Sequence, residues 1–388
     1  MKVAVIGKGT ASIITTLVLL KHGHEVVVYY DPNSESLSVG ESTTPHILSL
    51  LSDVLDINIH DMVDNDIASL KCGIKFINWG KSEYFLHHFT NKIAFHLENN
   101  RFNPIIHQTL ENNGLVKYIP RRVEKVYTQD GEIIVEGDVY DFSVFCSGWV
   151  DQDNYIKPLF ETVNSAVLYD KDNIDEHSLY TLHRATEDGW EFGLPFPKRN
   201  VTKHGYLFDR NKIDKEKVFE KINSKKYFEW TPRYCKKLLQ NSCLAYNGNR
   251  LFFIEPLQAL TFYYTKDFAE KICEYLEERT IEKFYSVNDS YLYEMWTYQL
   301  SLAYHYQYGS TYETSFWNEI TEKAKNFISC IHNGNRDIFL ENLINDLYFK
   351  GEYSKIGVFD FTDLKQLHCG MVKENINDII AKYYPSNI

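Results

Sequence analysis

Cysteine is scarce and poorly placed for structural use. The seven residues, at 72, 146, 235, 243, 273, 330 and 369, are odd in number and form no close pairs. That argues against a zinc site or a disulfide framework, and fits a reducing, cytoplasmic setting. A basic tract is missing as well: 41 Lys plus Arg face 53 Asp plus Glu, for a net charge of −12. A field of that sign repels phosphate backbones, so nucleic acid is not an expected partner. Long apolar runs are also absent. The run Ser12–Leu20 has nine residues before Lys21 and no small-residue cleavage pattern after it. It is too short to cross a bilayer, so the chain reads as soluble and unprocessed, without membrane contact. Internal repeats and low-complexity linkers are lacking. With 44% apolar and 24% charged residues, disorder, a collagen-like fibre and a coiled-coil rod are excluded.

Aromatic residues are plentiful: 28 Tyr, 24 Phe and 6 Trp make 15% of the 388 residues. Such side chains bury large areas, so they mean either a bulky core or a pocket for a flat conjugated ligand. Composition does not separate the two. Frequent Asn, Lys, Ile and Tyr fit an AT-rich genome such as that of a marine microbe or virus.

The N-terminal stretch orders the rest. KVAVI (2–6) suits a buried parallel strand; GKGTAS (7–12) and an apolar helix follow, then VVVYY (26–30) ends at Asp31. Strand, glycine turn, helix, strand and terminal acid compose a dinucleotide-binding βαβ unit. Gly7 permits the tight turn, Gly9 lets a pyrophosphate approach the backbone, and Ser12 is small enough to keep helix and strand close. Asp31, or Tyr30 in the adjacent register, ends the strand where a ribose would be met. NAD and FAD both use this unit. A second glycine turn, Val39–Ser42, and the strand closing at Ser147–Gly148 favour FAD.

Further along, residues 46–70 read as helical and GIKFINW (73–79) alternates like a strand. Residues 117–148 resemble a β meander with an Asp-Gly turn at 130–131, 190–208 hold two more strands, and the pattern turns helical after about 265. The expected fold class is α/β with a helical C-terminal third.

With these elements in place, the chain resembles the flavin-dependent halogenases of the tryptophan-halogenase type. GKGTAS stands where that family has GGGTAG, and GESTTP (40–45) resembles its GEATVP-like turn. LKCGIKFINW (70–79) is similar to the segment carrying the family's lysine. GWEFGLP (189–195) is a relaxed GWxWxIP, with GYLFD (205–209) after it. IEPLQAL (254–260) takes the place of EPLEST, and HYQYGSTYETSFW (305–317) resembles HYxxxxRxDxxFW. Six motifs occur in the family's order.

The resemblance implies a Rossmann-like FAD-binding body with additional β-sheet, of the FAD-monooxygenase type, over residues 1–270. It implies a mainly helical, substrate-covering region over 271–388, reduced in this short chain, with a more open pocket. A separate NAD(P)H-dependent flavin reductase would supply FADH2. O2 would give a flavin hydroperoxide, a halide ion would attack it, and the resulting hypohalous acid would travel to Lys71. An ammonium there would polarise the O–X bond, whereas a neutral amine would form a haloamine; sequence leaves both open. Gly7, Gly9, Ala11, Ser12, Asp31, Gly40, Ser42, Val123, Gly148 and Pro256 are the implied cofactor contacts. Trp190, His305, Tyr306, Phe316 and Trp317 are the implied substrate contacts, for a small aromatic molecule. His87–His88 resemble a structural turn of the family. No metal is expected, and a homo-oligomer is compatible with the sequence.

Departures from the family pattern shape the rest. The carboxylate of EPLEST is Gln258 here, an amide that positions by hydrogen bonding but is no base near neutral pH. That favours an electron-rich phenol or heteroarene such as an indole. Leu260 and Thr261 occupy the halide loop, whose backbone donors survive substitution. An apolar Leu260 favours weakly hydrated bromide or iodide over chloride. The competing expectations are an aromatic hydroxylase on the same fold and a flavin-binding protein without turnover.

Overall fold

Lys2–Ile6 and Glu25–Tyr30 carry apolar residues on both strand faces, and both faces are buried: Val3, Ala4, Val5 and Val26–Val28 are each at most 3% exposed. They lie side by side and parallel, the arrangement that continuous apolar strands require. The computed structural model describes residues 1–34, 40–89, 92–148, 154–172, 179–332 and 358–375. The chain divides into two compact units, each built from three segments.

The first unit comprises 1–70, 94–157 and 231–295. Its six-stranded sheet runs in the order Leu239–Asn241, Leu244–Tyr246, Phe142–Phe145, Lys2–Ile6, Glu25–Tyr30, Val116–Pro120. All neighbours are parallel except the antiparallel first pair. Helix Thr10–Lys21 buries Ser12 through Leu19 and packs against helix Leu260–Glu278. The expected meander over 117–148 is shorter than the pattern suggests. Only Val126–Gln129, Glu132–Val135 and Asp138–Tyr140 form it, turning at Asp130 and Gly131 with φ of 52° and 84°. The flanking strands at 116–120 and 142–145 belong to the parallel sheet, where they pair with Glu25–Tyr30 and Lys2–Ile6. Within 46–70 the helices are His46–Leu55 and Ile59–Asp64, and Ala68–Lys71 is a strand.

The second unit comprises 71–93, 158–230 and 296–388. Its seven-stranded sheet runs Lys226–Glu229, Ser165–Asp172, Val201–Phe208, Gly189–Phe196, Tyr180–Thr186, Gly73–Ile77, Tyr84–His88. Only the Tyr180–Thr186 and Gly73–Ile77 pair is parallel. Helix Phe361–Val372 packs on the edge strand Tyr84–His88, where Gln366 accepts from the His88 amide at 2.7 Å. His87 and His88 are therefore strand residues, not a turn.

The expected division at 270/271 differs from these units and falls inside helix Leu260–Glu278. The physical reason is that sheet strands pair across long sequence separations, so each unit collects distant segments. Among the described residues no helix is long and apolar enough to cross a membrane.

Candidate functional site

A cavity of about 700 Å³ opens in the first unit where the parallel strands end, within the size range of ligand sites. Its floor is the turn after the first strand. Gly7 has φ +125°, and a Cβ there would lie 3.0 Å from the Cys146 carbonyl group. Gly9 precedes the first turn of helix Thr10–Lys21, and a Cβ on it would meet nothing within 4 Å. That open space above unpaired helix N–H groups is the cradle a diphosphate needs. Replacing Gly7 by alanine should cost roughly 1–3 kcal/mol through forced backbone strain. Chemical denaturation of that variant, together with its FAD affinity, measures the effect.

Cations gather at the cavity. Lys8, Arg121, Arg122 and Arg250 all line it, as do Asp31, Glu41, Asn99 and Asn103. Lys8 Nζ sits 4.0 Å from the Tyr30 ring centroid, and the Arg250 guanidinium 4.9 Å from that of Tyr246. Asp31 follows directly on the second strand and accepts from the Asn33 amide at 2.9 Å. Burial forces His107 down to about 4, so it is a neutral ring between the Lys8 carbonyl and the Tyr118 hydroxyl, at 2.9 and 2.8 Å. A glycine cradle, four cations and a carboxylate at the second strand's end fit the donor and acceptor groups of a dinucleotide.

Of the residues expected at the cofactor, Gly7, Gly9, Ala11, Asp31, Val123 and Gly148 line this cavity. Ser12, Gly40, Ser42 and Pro256 lie outside its lining. Ser12 is fully buried, with a hydroxyl that has no hydrogen-bond partner, because the helix packs too closely there for solvent. Gly40 and Ser42 are spent on strand pairing with Glu98 and His96, and Pro256 precedes a 3-10 turn. In the loop expected to bind halide, Thr261 lines the cavity while Leu260 is 3% exposed and outside the lining. Ala259 between them and Gln258 takes φ +58°, a left-handed conformation costly for a residue with a Cβ. Gln258 lies in the turn Leu257–Ala259; its side chain is outside the described residues.

The second unit holds Lys71 and the aromatic candidates. Lys71 ends strand Ala68–Lys71, has no exposed surface, and holds its ammonium nitrogen 5.0 Å from the Phe89 ring centroid. Desolvation lowers its pKa to about 7. Lys75, four residues further along the same motif, is half-buried over Tyr84 at 5.9 Å. Trp79 gathers three of the expected substrate residues: ring centroids of Trp190, Tyr306 and Trp317 lie 6.4, 5.3 and 5.3 Å away. Phe316 stacks edge-on against Trp317 at 5.3 Å. None of these four is more than 9% exposed, so ring packs on ring. His305 stands apart: it contacts Phe76 at 5.9 Å, donates from Nδ1–H to the Ser301 carbonyl at 2.6 Å, and lines a cavity of about 10 Å³. Burial lowers it to about 4, so it is neutral.

Sequence reasoning passed over Trp79, although it stands inside a quoted motif. It also passed over His183, buried with its ring 5.0 Å from Trp190 and its pKa held well down by desolvation and then by Lys71. Lys8 and Glu41 stood inside quoted glycine motifs; Asn99, Asn103 and Arg250 had no local signal. Among the described residues no group of three or more His, Cys, Asp or Glu is placed to hold a metal ion.

The sequence model of the family described as tryptophan halogenase matches residues 2–113 and 90–339. No curated protein matches the chain in sequence. Among solved structures, BrvH, a flavin-dependent halogenase from Brevundimonas sp. BAL3, is similar with a TM-score of 0.78 and 16% identity. That match covers 98% of this chain and 92% of the other. A tryptophan halogenase from Shewanella frigidimarina NCIMB 400 gives 0.80 and 17%, over 97% and 89%. SttH, a tryptophan 6-halogenase from Streptomyces toxytricini, gives 0.75 and 15%, over 96% and 91%. At such identities the likeness establishes the shared fold.

Proposed function

Because the chain belongs to the tryptophan halogenase family of flavin-dependent oxidoreductases, we propose that it halogenates an electron-rich aromatic small molecule, with Lys71 presenting the halogen. Phenols, indoles and related heteroarenes are the substrate class. The observation that carries this reading is Lys71 itself, a cation-forming group without exposed surface whose burial costs stability. Reduced FAD, with O2 and a halide, would supply hypohalous acid, and a separate NAD(P)H-dependent flavin reductase would supply the reduced form.

The chain's own residues then have these roles. The Gly7–Gly9 turn and the helix N–H groups hold the diphosphate, flanked by Lys8 and Arg250, and Asp31 takes a ribose. With a pKa near 7, Lys71 is present both as ammonium and as amine at neutral pH. As ammonium it donates to the oxygen of hypohalous acid and polarises the O–X bond. The aromatic carbon attacks the halogen, and the oxygen leaves as water with the lysine's proton. The ring then loses its own proton to solvent. Gln258 positions and does not deprotonate, which an activated ring tolerates.

Incubation with FAD, reductase, NADH, O2 and each halide against phenols and indoles, read by mass spectrometry, tests this. Halide-dependent products are expected, with bromide or iodide exceeding chloride, because the smaller ion is more strongly hydrated and loses more on entering a protein site. Equal or greater chloride turnover defeats the halide order. Oxygenated products point instead to a hydroxylase, and FAD binding without any product to a non-catalytic flavoprotein.

A further inference from the structure

Within the cavity of the first unit, four polar side chains converge with no assigned task. Glu41 comes from strand Gly40–Ser42, Thr10 from the start of the first helix, and Asn99 and Asn103 from one face of helix Asn99–Asn112. All four line the cavity. Thr10 Oγ1 lies 3.3 Å from Glu41 Oε1 and 3.3 Å from Asn103 Oδ1. The Asn99 amide donates to the same Glu41 Oε1. The contacts to Glu41 thus converge on Oε1, the single Thr10 proton being shared between Oε1 and Asn103 Oδ1, and Oε2 remains for another partner. Asn99 Oδ1 is buried and has no partner either, in a residue 7% exposed.

We infer that Glu41 binds the cofactor as the protonated acid, Oε2–H donating to a hydroxyl-bearing segment of FAD while Asn99 Oδ1 accepts from it. The donor–acceptor pair matches a sugar or ribityl chain, whose hydroxyls both give and take hydrogen bonds. A carboxylate at this place would add negative charge beside a diphosphate cofactor and would present no donor. Desolvation by the surrounding protein raises Glu41 to about 7, with the Asn99 and Thr10 bonds opposing the rise. The charged groups on neighbouring elements do not neutralise it. Lys8, Asp31, Arg121, Arg122 and Arg250 line the same cavity, and none of these five pairs with Glu41. On the strand paired to Gly40–Ser42, His96 is engaged with Ser69 at 3.1 Å and Glu98 with Arg101 at 3.6 Å. His107 and Cys146 titrate near 4 and 12, outside the range that matters.

The inference rests on the dinucleotide reading of the cavity, and binding separates the two. FAD affinity of the full chain is measured by flavin fluorescence from pH 6 to 9 at constant ionic strength, with proton uptake on binding from calorimetry in two buffers. For the wild type, Kd should be level below pH 7 and rise by at least about tenfold by pH 9, with net proton uptake above pH 7. Glu41→Gln keeps the size and a donor, so its Kd should change by less than about threefold over the range, without proton uptake. A flat wild-type profile with tight FAD, or the same slope in the variant, overturns the role of Glu41 and leaves the cavity assignment standing. No FAD binding at any pH overturns both. FMN carries the ribityl chain and ADP the ribose, so the slope should follow whichever of the two contacts Glu41.

Discussion

Lys71→Met is expected to lower halogenated product by about 10²–10⁴-fold, the range for losing a positioned acid–base group. The same variant should be more stable than the wild type. The sign follows from the lowered pKa: Lys71 falls from its ordinary 10.5 to about 7 in the folded chain. Between these values the unfolded chain binds the extra proton, so this group's contribution to stability rises with pH across the window. Below pH 7 the burial cost is full, roughly 5 kcal/mol, and methionine removes it. Urea denaturation at pH 7 and 10 checks the stability, and product yield checks the chemistry. A more stable but inactive variant marks a lysine kept for function. Unchanged yield would sink the halogen-presenting role. The wild-type rate against pH should turn near 7, falling above it for an ammonium donor and rising for a haloamine route.

Trp190→Ala is expected to destabilise the second unit by about 3–5 kcal/mol, the usual cost of deleting a buried large aromatic. Trp190 is 0% exposed, with Trp79, His183 and Phe192 rings 6.4, 5.0 and 6.4 Å away. Trp79 and His183 are themselves buried and Phe192 partly so, which leaves little to move in and fill the space. Trp190→Phe should cost markedly less, because it retains most of the packing surface. Denaturation followed by tryptophan fluorescence reads both. If alanine leaves stability intact and changes only which ring position is halogenated, Trp190 is a pocket wall rather than a core residue.

The cofactor-side architecture was readable because its requirements are local. A strand apolar on both faces, Gly7 at a left-handed turn and an acid after the second strand lie within 31 residues, and each is dictated by short-range sterics or burial. The same logic placed the Asp130–Gly131 turn. It failed where pairing partners are distant: 116–120 and 142–145 look like meander strands by periodicity, yet join the parallel sheet. The aromatic motifs were legible as motifs and not as surroundings. Whether Trp190, Tyr306 and Trp317 face a cavity or one another depends on Trp79, which is 111 residues from the first of them.

The sequence by itself determined the family, the α/β class and the glycine cradle, because these rest on ordered motifs and on local backbone geometry. Tertiary structure decided the rest. It buried Lys71 and so moved its titration to neutrality. It brought Glu41, Thr10, Asn99 and Asn103 into one cavity from three places in the chain, and packed Trp190, Tyr306 and Trp317 against Trp79. Desolvation and convergence are properties of the folded neighbourhood, and no single segment encodes them.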